Sequence, residues 1–280
     1  EQGKMTPELL KAISLAPDKT QLEDLYLPYK QKRRTKAQIA LEAGLEPLAD
    51  ALLANPLLNP DEEAAEYLRE PFTTEQGDNP GVADAKAALD GARQILMERF
   101  AEDAVLLQSL REYVQEQGVV ESKVLDGKHD AAEKYADYFD YSEPINIIPS
   151  HRALAVFRGR REDMLDVRLR LDSEEERPTW SAPHNPCETR IASRFGIQDQ
   201  QRPADRWLMD SVRWTWRVKL SMHLETELMT ALRTRAETEA INVFARNLKD
   251  LLLAAPAGPR ATMGLDPGIR TGVKVAVVSD

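Results

Sequence analysis

The sequence predicts a mainly α-helical protein with a small mixed α/β insert and a C-terminal β-hairpin. Alanine and leucine abound, and aromatic residues make up only 6% of the 280 residues, which favours helices. No glycine or proline occurs between residues 205 and 253, as expected of a long helix. In contrast, residues 165–171 alternate apolar and charged side chains, the pattern of a half-buried strand.

The first predicted region, residues 1–140, is helical. Thr6 offers an N-cap hydroxyl, Pro7 fits a first turn, and the carboxylate of Glu8 suits the positive end of the helix dipole. A helix is therefore expected to begin there and to reach about Leu15.

Further helices are predicted in the same region. Asp18 can cap the second helix, which Pro28 is expected to end or kink. Helical periodicity then recurs between proline, glycine and asparagine residues, over stretches 35–53, 60–69 and 84–117.

Residues 141–200 are predicted to form the small mixed α/β insert. Ser150 can cap a short helix that Gly159 is expected to close, and the strand at 165–171 follows it. An acidic tract and three prolines then predict a loop at 174–186.

The third region, residues 201–258, is predicted to be one long central helix or a helix pair. Apolar residues from Leu208 to Leu251 fall at steps compatible with one helical face. An unbroken helix would be roughly 75 Å long at 1.5 Å per residue. A break near the middle is the alternative.

Residues 261–280 are predicted to form two strands joined by a glycine-containing turn. The side chains of Val273, Val275 and Val277 share one face. A lone hairpin is marginal in water, so we expect this segment to fray or to pack elsewhere. We also expect the chain to be a fragment, cut just inside a β-containing domain, because further strands should follow.

Bulk composition limits the possible functions. The net charge is -10 and the pI is near 5.1, so any nucleic-acid binding must come from local basic patches. The single cysteine, Cys187, excludes an internal disulfide framework and fits a reducing cytoplasm. No apolar run approaches the roughly 18 residues of a membrane span. We therefore expect a cytoplasmic protein without a membrane partner.

A basic stretch, YKQKRRTK at residues 29–36, is the best candidate for nucleic-acid contact. Five cations within eight residues can pair with phosphates and release their counterions. The predicted nucleic-acid-binding residues are Lys30, Lys32, Arg33, Arg34 and Lys36. A solvated basic stretch, or a cradle for an acidic tract such as residues 61–63, is equally open. A nuclear-import signal is a third interpretation.

Arginine and tryptophan interleave in a second stretch at residues 205–220. The residues concerned are Arg206, Trp207, Arg213, Trp214, Trp216 and Arg217. Such a pattern can stack nucleic-acid bases. Tryptophan at helical spacing is more often buried, with arginine stems packed over its rings, and we favour that interpretation.

Another basic cluster lies around the short helix of the insert. Its members are His151, Arg152, Arg158, Arg160 and Arg161. These side chains can hold a neighbouring segment as readily as a nucleic acid, and both interpretations stay open.

Asp266, in GLDPGIRTG at residues 264–272, has three possible roles. It can be the first-strand acid that holds Mg²⁺ in an RNase H-type nuclease, or part of a hairpin whose amides bind phosphate, as in actin-like ATPases. It can also hydrogen-bond its own backbone in a tight turn, the interpretation we favour. Two-metal chemistry needs several converging carboxylates, and this stretch supplies one.

Other chemical motifs are weak. His184 and Cys187 form half a zinc site without a second pair of ligands at a suitable spacing. The sequence has no phosphate-loop, dinucleotide-binding, zinc-protease or nucleophile-elbow motif. It therefore predicts no catalytic residue, no metal site and no cofactor.

Three longer stretches carry a resemblance to a known family. These are LEDLYLPYKQKRRTKAQIALEAGLEPLA, IPSHRALAVFRG and FARNLKDLLLAAPAGPRATMGLDPGIRTGVKVAVV. Together they resemble the Tex family of bacterial transcription accessory proteins, with the match running through the whole chain in order. The resemblance implies a cytoplasmic, multi-domain, elongated protein that binds nucleic acid in association with transcription. The family is also related to a eukaryotic elongation factor that contacts RNA polymerase and histones.

The resemblance also implies a domain arrangement. Residues up to about 260 correspond to a helical scaffold with a helix-turn-helix-like part, and those from about 261 open a YqgF domain of RNase H-like fold. Asp266 matches the first-strand acid of that fold, in a domain that looks catalytically degenerate in this family. The rest of the YqgF domain, the helix-hairpin-helix units and the C-terminal OB-fold RNA-binding domain have no counterpart in this chain.

The expected function is a non-enzymatic, transcription-associated scaffold that binds RNA or DNA without sequence preference. RNA polymerase or other transcription proteins are candidate partners. One alternative is an RNase H-like, metal-dependent nuclease in the intact protein. Another is a scaffold that binds only proteins.

Overall fold

A computed structural model describes residues 6–30, 33–171, 185–256 and 258–279. The predicted mainly α fold is confirmed, including its small sheet and its C-terminal two-stranded hairpin. The boundaries of the predicted regions remain predictions. The three-stranded sheet contains residues from both of the first two predicted regions, 1–140 and 141–200.

Short helices build the N-terminal region. They are α1 (Pro7–Leu15), α2 (Lys19–Tyr26), α3 (Lys36–Glu42), α4 (Glu46–Ala54) and α5 (Pro60–Ala64). The two caps predicted in this region are confirmed, because the Thr6 hydroxyl accepts a hydrogen bond from Leu9 N at 3.2 Å and the Asp18 carboxylate accepts one from Gln21 N at 2.9 Å. Pro28 lies in a 3₁₀ turn that directly follows α2.

A small hairpin and two longer helices complete this part of the core. Strands β1 (Phe72–Thr74) and β2 (Gly77–Asn79) pair antiparallel, and helices α6 (Ala85–Ala101) and α7 (Ala104–Gln117) follow. Helix α6 packs against α3, α4 and α5. Its buried face therefore joins the helices on either side of the hairpin into one core.

The mixed α/β part is a three-stranded antiparallel sheet with helices around it. Strands β3 (Gly118–Val124), β4 (Asp140–Pro144) and β5 (Leu165–Leu171) have the order β4-β3-β5. Helix α8 (Ser150–Arg161) connects β4 to β5, and α9 (Pro186–Arg194) follows the sheet. The predicted strand at 165–171 is confirmed with both of its bounds.

Both predicted ends of α8 are wrong. Ser150 is the first residue of the helix and Pro149 occupies the cap position, without a side-chain cap hydrogen bond. Gly159 does not close the helix. Gly159 lies within α8, and the helix continues to Arg161. A Cβ atom at this position would come within 2.4 Å of Leu165 Cδ1. Glycine is therefore required here by the close approach of α8 to β5, and not by a turn.

The long helix is continuous but changes its winding. Helix α10 (Asp205–Trp214) leads through a π-helical segment (Thr215–Leu220) into α11 (Ser221–Leu252). One series of its buried residues recurs at every fourth position, namely Leu208, Val212, Trp216, Leu220, Leu224, Leu228, Leu232 and Ala236. Four residues of an α-helix exceed one turn by about 40°, so this stripe winds around the axis.

The winding stripe corrects the single apolar face expected from the sequence. Val218 is 52% exposed and Met222 is 70% exposed, although their spacing matched that face. Beyond Ala236, every described residue of the helix is exposed. The buried contacts pass from α6, near the start of the long helix, to α8 on its later part.

The C-terminal hairpin is paired along its length. Strands β6 (Thr262–Pro267) and β7 (Val273–Val278) are antiparallel, with Thr262 opposite Val278 and Pro267 opposite Val273. All described residues of the hairpin are exposed. The hairpin therefore does not pack elsewhere, and the expectation that it frays stays a prediction.

Candidate nucleic-acid interface

The predicted basic residues lie on the segment between α2 and α3. Lys30 follows the 3₁₀ turn, Arg33 lies three residues later, and Lys36 is the first residue of α3. The side chains of these residues are exposed, and within the described ranges none of them forms an ion pair. Lys32 lies outside the described residues. We call Lys30, Arg33 and Lys36 the exposed basic patch.

Arg34 differs from its neighbours because its guanidinium group is bound by the protein. Nε donates to Glu42 Oε1 at 3.1 Å and Nη2 donates to Oε2 at 2.6 Å. Nη1 donates to the carbonyl oxygen of Asp78 at 3.0 Å. The Arg34 side chain is only 20% exposed and that of Glu42 11%. We therefore assign Arg34 a structural role, holding α3 against the β1–β2 hairpin.

Several further groups organise the Glu42 carboxylate. Asn79 Nδ2 donates to Glu42 Oε2 at 3.2 Å and to the carbonyl oxygen of Ile39 at 2.9 Å. The hydrogen bond from Arg34 is the main cause that holds the pKa of Glu42 below its ordinary value of 4.5. The pair also raises the pKa of Arg34. Gly77 adopts φ +120°, and a Cβ atom there would lie 3.1 Å from Arg34 Nη1.

The helix pair α3–α4 follows the basic segment directly. Gly44, at φ +83°, lies in the short turn between the two helices. On the exposed side of α4, Asp50 and Glu46 bind Arg99, at 2.6 Å and 3.4 Å from its Nη1 and Nη2 atoms. The basic residues thus lie before α3 or at its first position, whereas the exposed side of α4 carries acidic residues. The helix-turn-helix-like assignment stays a prediction.

The cluster around α8 divides into two parts. Arg152 pairs with Glu143 of β4 at 3.2 Å, so it holds a neighbouring segment. Arg158, Arg160 and Arg161 are exposed and have no ion pair with any residue that the structure describes. They line a groove between α8 and α11. His151 is exposed at the start of the helix.

The core interpretation of the arginine–tryptophan stretch is confirmed for most of its aromatic rings. Trp207 and Trp216 are buried, with 7% and 5% exposure, whereas Trp214 is 46% exposed. Arg213 pairs with Asp210 at 3.0 Å, and Arg217 lies 3.8 Å from Glu188. This stretch is therefore mainly part of the core.

Asp266 lies in strand β6 and not in the turn that we favoured. It faces Lys274 across the hairpin, and Lys274 Nζ is 3.3 Å from Asp266 Oδ2. The Asp266 side chain is 71% exposed. In the described part of the chain, no group of three or more His, Cys, Asp or Glu side chains is placed to hold a metal ion. Cys187 is buried, and its predicted partner His184 lies outside the described residues.

The groove between α8 and α11 was not predicted from the sequence. Its α11 side contains Met222, Thr226 and Met229, which follow helical spacing and could have indicated a shared face. The partner helix α8 was predicted too short, and nothing in the sequence places the two helices side by side.

A comparison with protein families identifies the chain. The model described as "Tex central region-like" matches residues 55–244, which is more than half of the sequence. The chain belongs to the Tex family. The family resemblance inferred from the three sequence stretches is thereby confirmed.

Individual relatives agree with this assignment. Protein YhgF of Escherichia coli is 56% identical over 99% of this Tex-family chain, and the transcriptional accessory protein Tex of Neisseria gonorrhoeae is 51% identical over all of it. The human S1 RNA-binding domain-containing protein 1 is 30% identical over the whole chain. The chain covers 34%, 35% and 27% of these relatives, respectively.

The described helices of this Tex-family chain differ from membrane-spanning helices. Throughout the described residues, no helix is both long enough and apolar enough to cross a membrane.

Proposed function

We propose that this Tex-family chain is a non-enzymatic, nucleic-acid-binding scaffold that acts in transcription. The exposed basic patch is the observation that carries the proposal. Lys30, Arg33 and Lys36 keep their charges free of ion pairs with described residues, in a protein whose net charge is -10. Arg34 anchors the segment from which they project.

The chemistry of the patch suits a phosphate backbone. Exposed ammonium and guanidinium groups bind phosphates and release condensed counterions, whatever the base sequence. Lys32 is proposed to join the patch, because it lies between Lys30 and Arg33 in the sequence. The proposed ligand is therefore RNA or DNA, bound without sequence preference.

The relatives support a role in transcription. One is named a transcriptional accessory protein, and another is named for an S1 RNA-binding domain. Since the chain covers about a third of these proteins, the activity of the whole protein is itself a proposal. RNA polymerase or other transcription proteins are proposed as protein partners, and the cytoplasm as the location.

The hairpin is proposed to open a YqgF domain of RNase H-like fold, without nuclease activity in this chain. Two-metal hydrolysis needs several carboxylates around ions about 3.5–4 Å apart. Asp266 is a single exposed carboxylate paired with Lys274, and the described residues provide no ligand cluster around it. These residues do not fit a two-metal centre.

Nucleic-acid binding is tested directly with fluorescently labelled single- and double-stranded RNA and DNA, each in two unrelated sequences. We expect binding at low salt that does not depend on sequence, and no cleavage when Mg²⁺ or Mn²⁺ is added. Asp266→Asn should behave as the wild type does. Cleavage by the wild type that Asp266→Asn abolishes would favour the nuclease alternative. Absence of binding at low salt would contradict the proposal and favour a protein-binding scaffold.

A further inference from the structure

A groove runs between α8 and α11, with part of β5 beside it. Its volume is about 1000 Å³. On the α11 side, the lining residues Met222, Thr226, Met229, Arg233 and Glu237 recur at helical spacing. This side extends over about 22 Å at 1.5 Å per residue, which equals roughly four turns of a helix.

The groove lining is mixed, and both helices contribute apolar side chains to it. Leu154 and Phe157 of α8 lie opposite Met222 and Met229 of α11. Met222 is 70% exposed, whereas Met229 is buried. Methionine adapts its shape to different apolar partners, so this lining can accept aliphatic or aromatic side chains.

Threonine hydroxyls in the groove are already satisfied. Thr226 donates to the carbonyl oxygen of Met222 at 2.8 Å, and Thr230 donates to that of Thr226 at 2.7 Å. Hydrogen bonds to their own helix leave these hydroxyls less available to a ligand. The α11 wall therefore adds little polar recognition of its own.

The acidic residues beside the groove are mostly engaged. Asp166 pairs with Arg168 at 2.9 Å, and Glu237 pairs with Arg233 at 2.8 Å. Glu225 Oε1 accepts a hydrogen bond from Leu169 N at 3.0 Å. Asp163 is the exposed exception.

The free charges of the groove are therefore mainly positive. Arg158, Arg160 and Arg161 lie along its α8 side, exposed and without ion pairs to any described residue. Arg158 is close enough to Glu162 to help lower the pKa of that carboxyl, whose ion pair is with Lys134. The positive charge of the three arginines beside the apolar surface of Met222, Leu154 and Phe157 complements a ligand that is both acidic and apolar.

We propose that this groove binds an amphipathic, acidic helix of a partner protein. The apolar face of that helix would cover the exposed Met222 and the partly exposed Leu154 and Phe157, and its carboxylates would pair with Arg158, Arg160 and Arg161. Such helix-in-groove recognition uses apolar anchors at helical spacing. The proposal is independent of nucleic-acid binding by the exposed basic patch.

Single-stranded nucleic acid fits this groove less well. Base binding depends on aromatic platforms on which successive bases stack. Phe157 is the aromatic residue that lines this groove within the described ranges, and it is partly buried. The exposed Met222, the partly exposed Leu154 and Phe157, and the exposed arginines therefore favour a peptide.

The probe is a fluorescein-labelled helical peptide of about 16 residues, with leucine on one face and glutamate beside it. Anisotropy is measured with the full chain. Control peptides replace every glutamate with lysine, or keep the composition but distribute leucine around the helix. We expect micromolar binding of the first peptide, weakened roughly tenfold or more for either control peptide.

Matched protein variants locate the binding site. Arg158→Glu with Arg161→Glu should weaken binding roughly tenfold or more, and so should Met222→Glu, whose exposed position tolerates the change. The control, Lys86→Glu with Arg206→Glu, reverses exposed cations elsewhere and should leave the Kd within about twofold. Circular dichroism verifies that each variant is folded.

The proposal is overturned if the peptide does not bind, or if it binds wild type and the Arg158/Arg161 variant equally. Equal binding of the lysine-containing peptide would also overturn it. Binding of an oligouridine probe that needs these arginines, without binding of the peptide, would assign the groove to nucleic acid instead.

Discussion

Arg34 and Glu42 form a two-pronged ion pair between the basic segment and the end of α3, with N–O distances of 3.1 Å and 2.6 Å. The same guanidinium group reaches the backbone of the β1–β2 hairpin at Asp78. Arg34 is thus held by other groups of the protein, although it belongs to a run of similar cations. Its neighbours Lys30, Arg33 and Lys36 are left exposed.

The different roles of these cations predict different effects on stability. Arg34→Gln should lower the Tm, because it leaves the Glu42 carboxylate without its main partner and removes the bond to Asp78. Lys36→Gln, at an exposed position two residues away, should leave the Tm nearly unchanged. Differential scanning calorimetry compares the two variants. Equal Tm values for both would contradict the anchoring role of Arg34.

The Glu42 carboxyl predicts a pH dependence of stability. Its pKa in the folded protein lies below the ordinary value of 4.5, chiefly because Arg34 donates a hydrogen bond to it. The stabilisation is therefore complete above the unfolded-state pKa and is lost as the pH falls through the folded-state pKa. The free energy of unfolding of wild type and of Glu42→Gln is measured with urea between pH 7 and pH 3. Above about pH 5, the difference between the two free energies should be constant. This difference should shrink at lower pH, and a flat difference throughout would contradict the assignment.

Arg111 is predicted to be a larger contributor to stability. It joins α7 to Glu227 of α11 and to Asp24 of α2, whose Oδ2 lies 2.9 Å from Nη2. The Arg111 and Asp24 side chains are only 13% and 7% exposed. Arg111→Met should lower the free energy of unfolding by about 3 kcal/mol, because it leaves two carboxylates without their partner.

An exposed ion pair provides the control for Arg111. Arg246 and Glu239 lie 3.5 Å apart on α11, with 70% and 52% exposure, so Arg246→Met should cost less than about 1 kcal/mol. Burial already raises the pKa of Asp24, although Arg111 opposes this effect. The Arg111→Met penalty should therefore decrease as the pH falls and Asp24 protonates. Similar penalties for both variants at pH 7 would contradict the prediction.

Gly159 is predicted to be required for the contact of α8 with β5. Gly159→Ala should destabilise the protein by about 1–3 kcal/mol, because the new methyl group would overlap the buried Leu165 side chain. Gly264→Ala, in the exposed strand β6, should change stability by less than about 0.5 kcal/mol, because the nearest atom would be 3.9 Å away. Chemical denaturation measures both. If Gly159→Ala left the free energy of unfolding unchanged, α8 and β5 would separate easily enough to admit the methyl group. That result would contradict the requirement for glycine.

Local signals in the sequence predicted much of the fold. The caps at Thr6 and Asp18 and the alternation of residues 165–171 each depend on neighbouring residues, and all are confirmed. The glycine- and proline-free stretch likewise predicted the long helix. Such features are encoded locally and need no knowledge of tertiary packing.

Features that depend on tertiary contacts were harder to predict from the sequence. The buried stripe of the long helix follows its successive partners, so Val218 and Met222 are exposed despite their spacing. Similarly, the role of Arg34 depends on Asp78 and Asn79, which the fold brings to Glu42 from the β1–β2 hairpin. Gly159 also resembles a helix terminator until the position of Leu165 is known. The composition of the basic stretch identifies the candidate cations. It does not show that Arg34 has a structural role whereas its neighbours form the exposed basic patch.

The most direct test of nucleic-acid binding is the salt dependence of affinity for single-stranded RNA. The patch variant combines Lys30→Glu, Arg33→Glu and Lys36→Glu. Its control, with the same change in net charge, combines Lys86→Glu, Lys128→Glu and Arg206→Glu at exposed positions elsewhere. Each phosphate contact contributes about 0.7 to the slope of log K against log salt. We predict weaker binding and a slope shallower by about 2 for the patch variant, with little change of slope in the control. Equal slopes for wild type and the patch variant would contradict the assignment of this patch as the nucleic-acid interface.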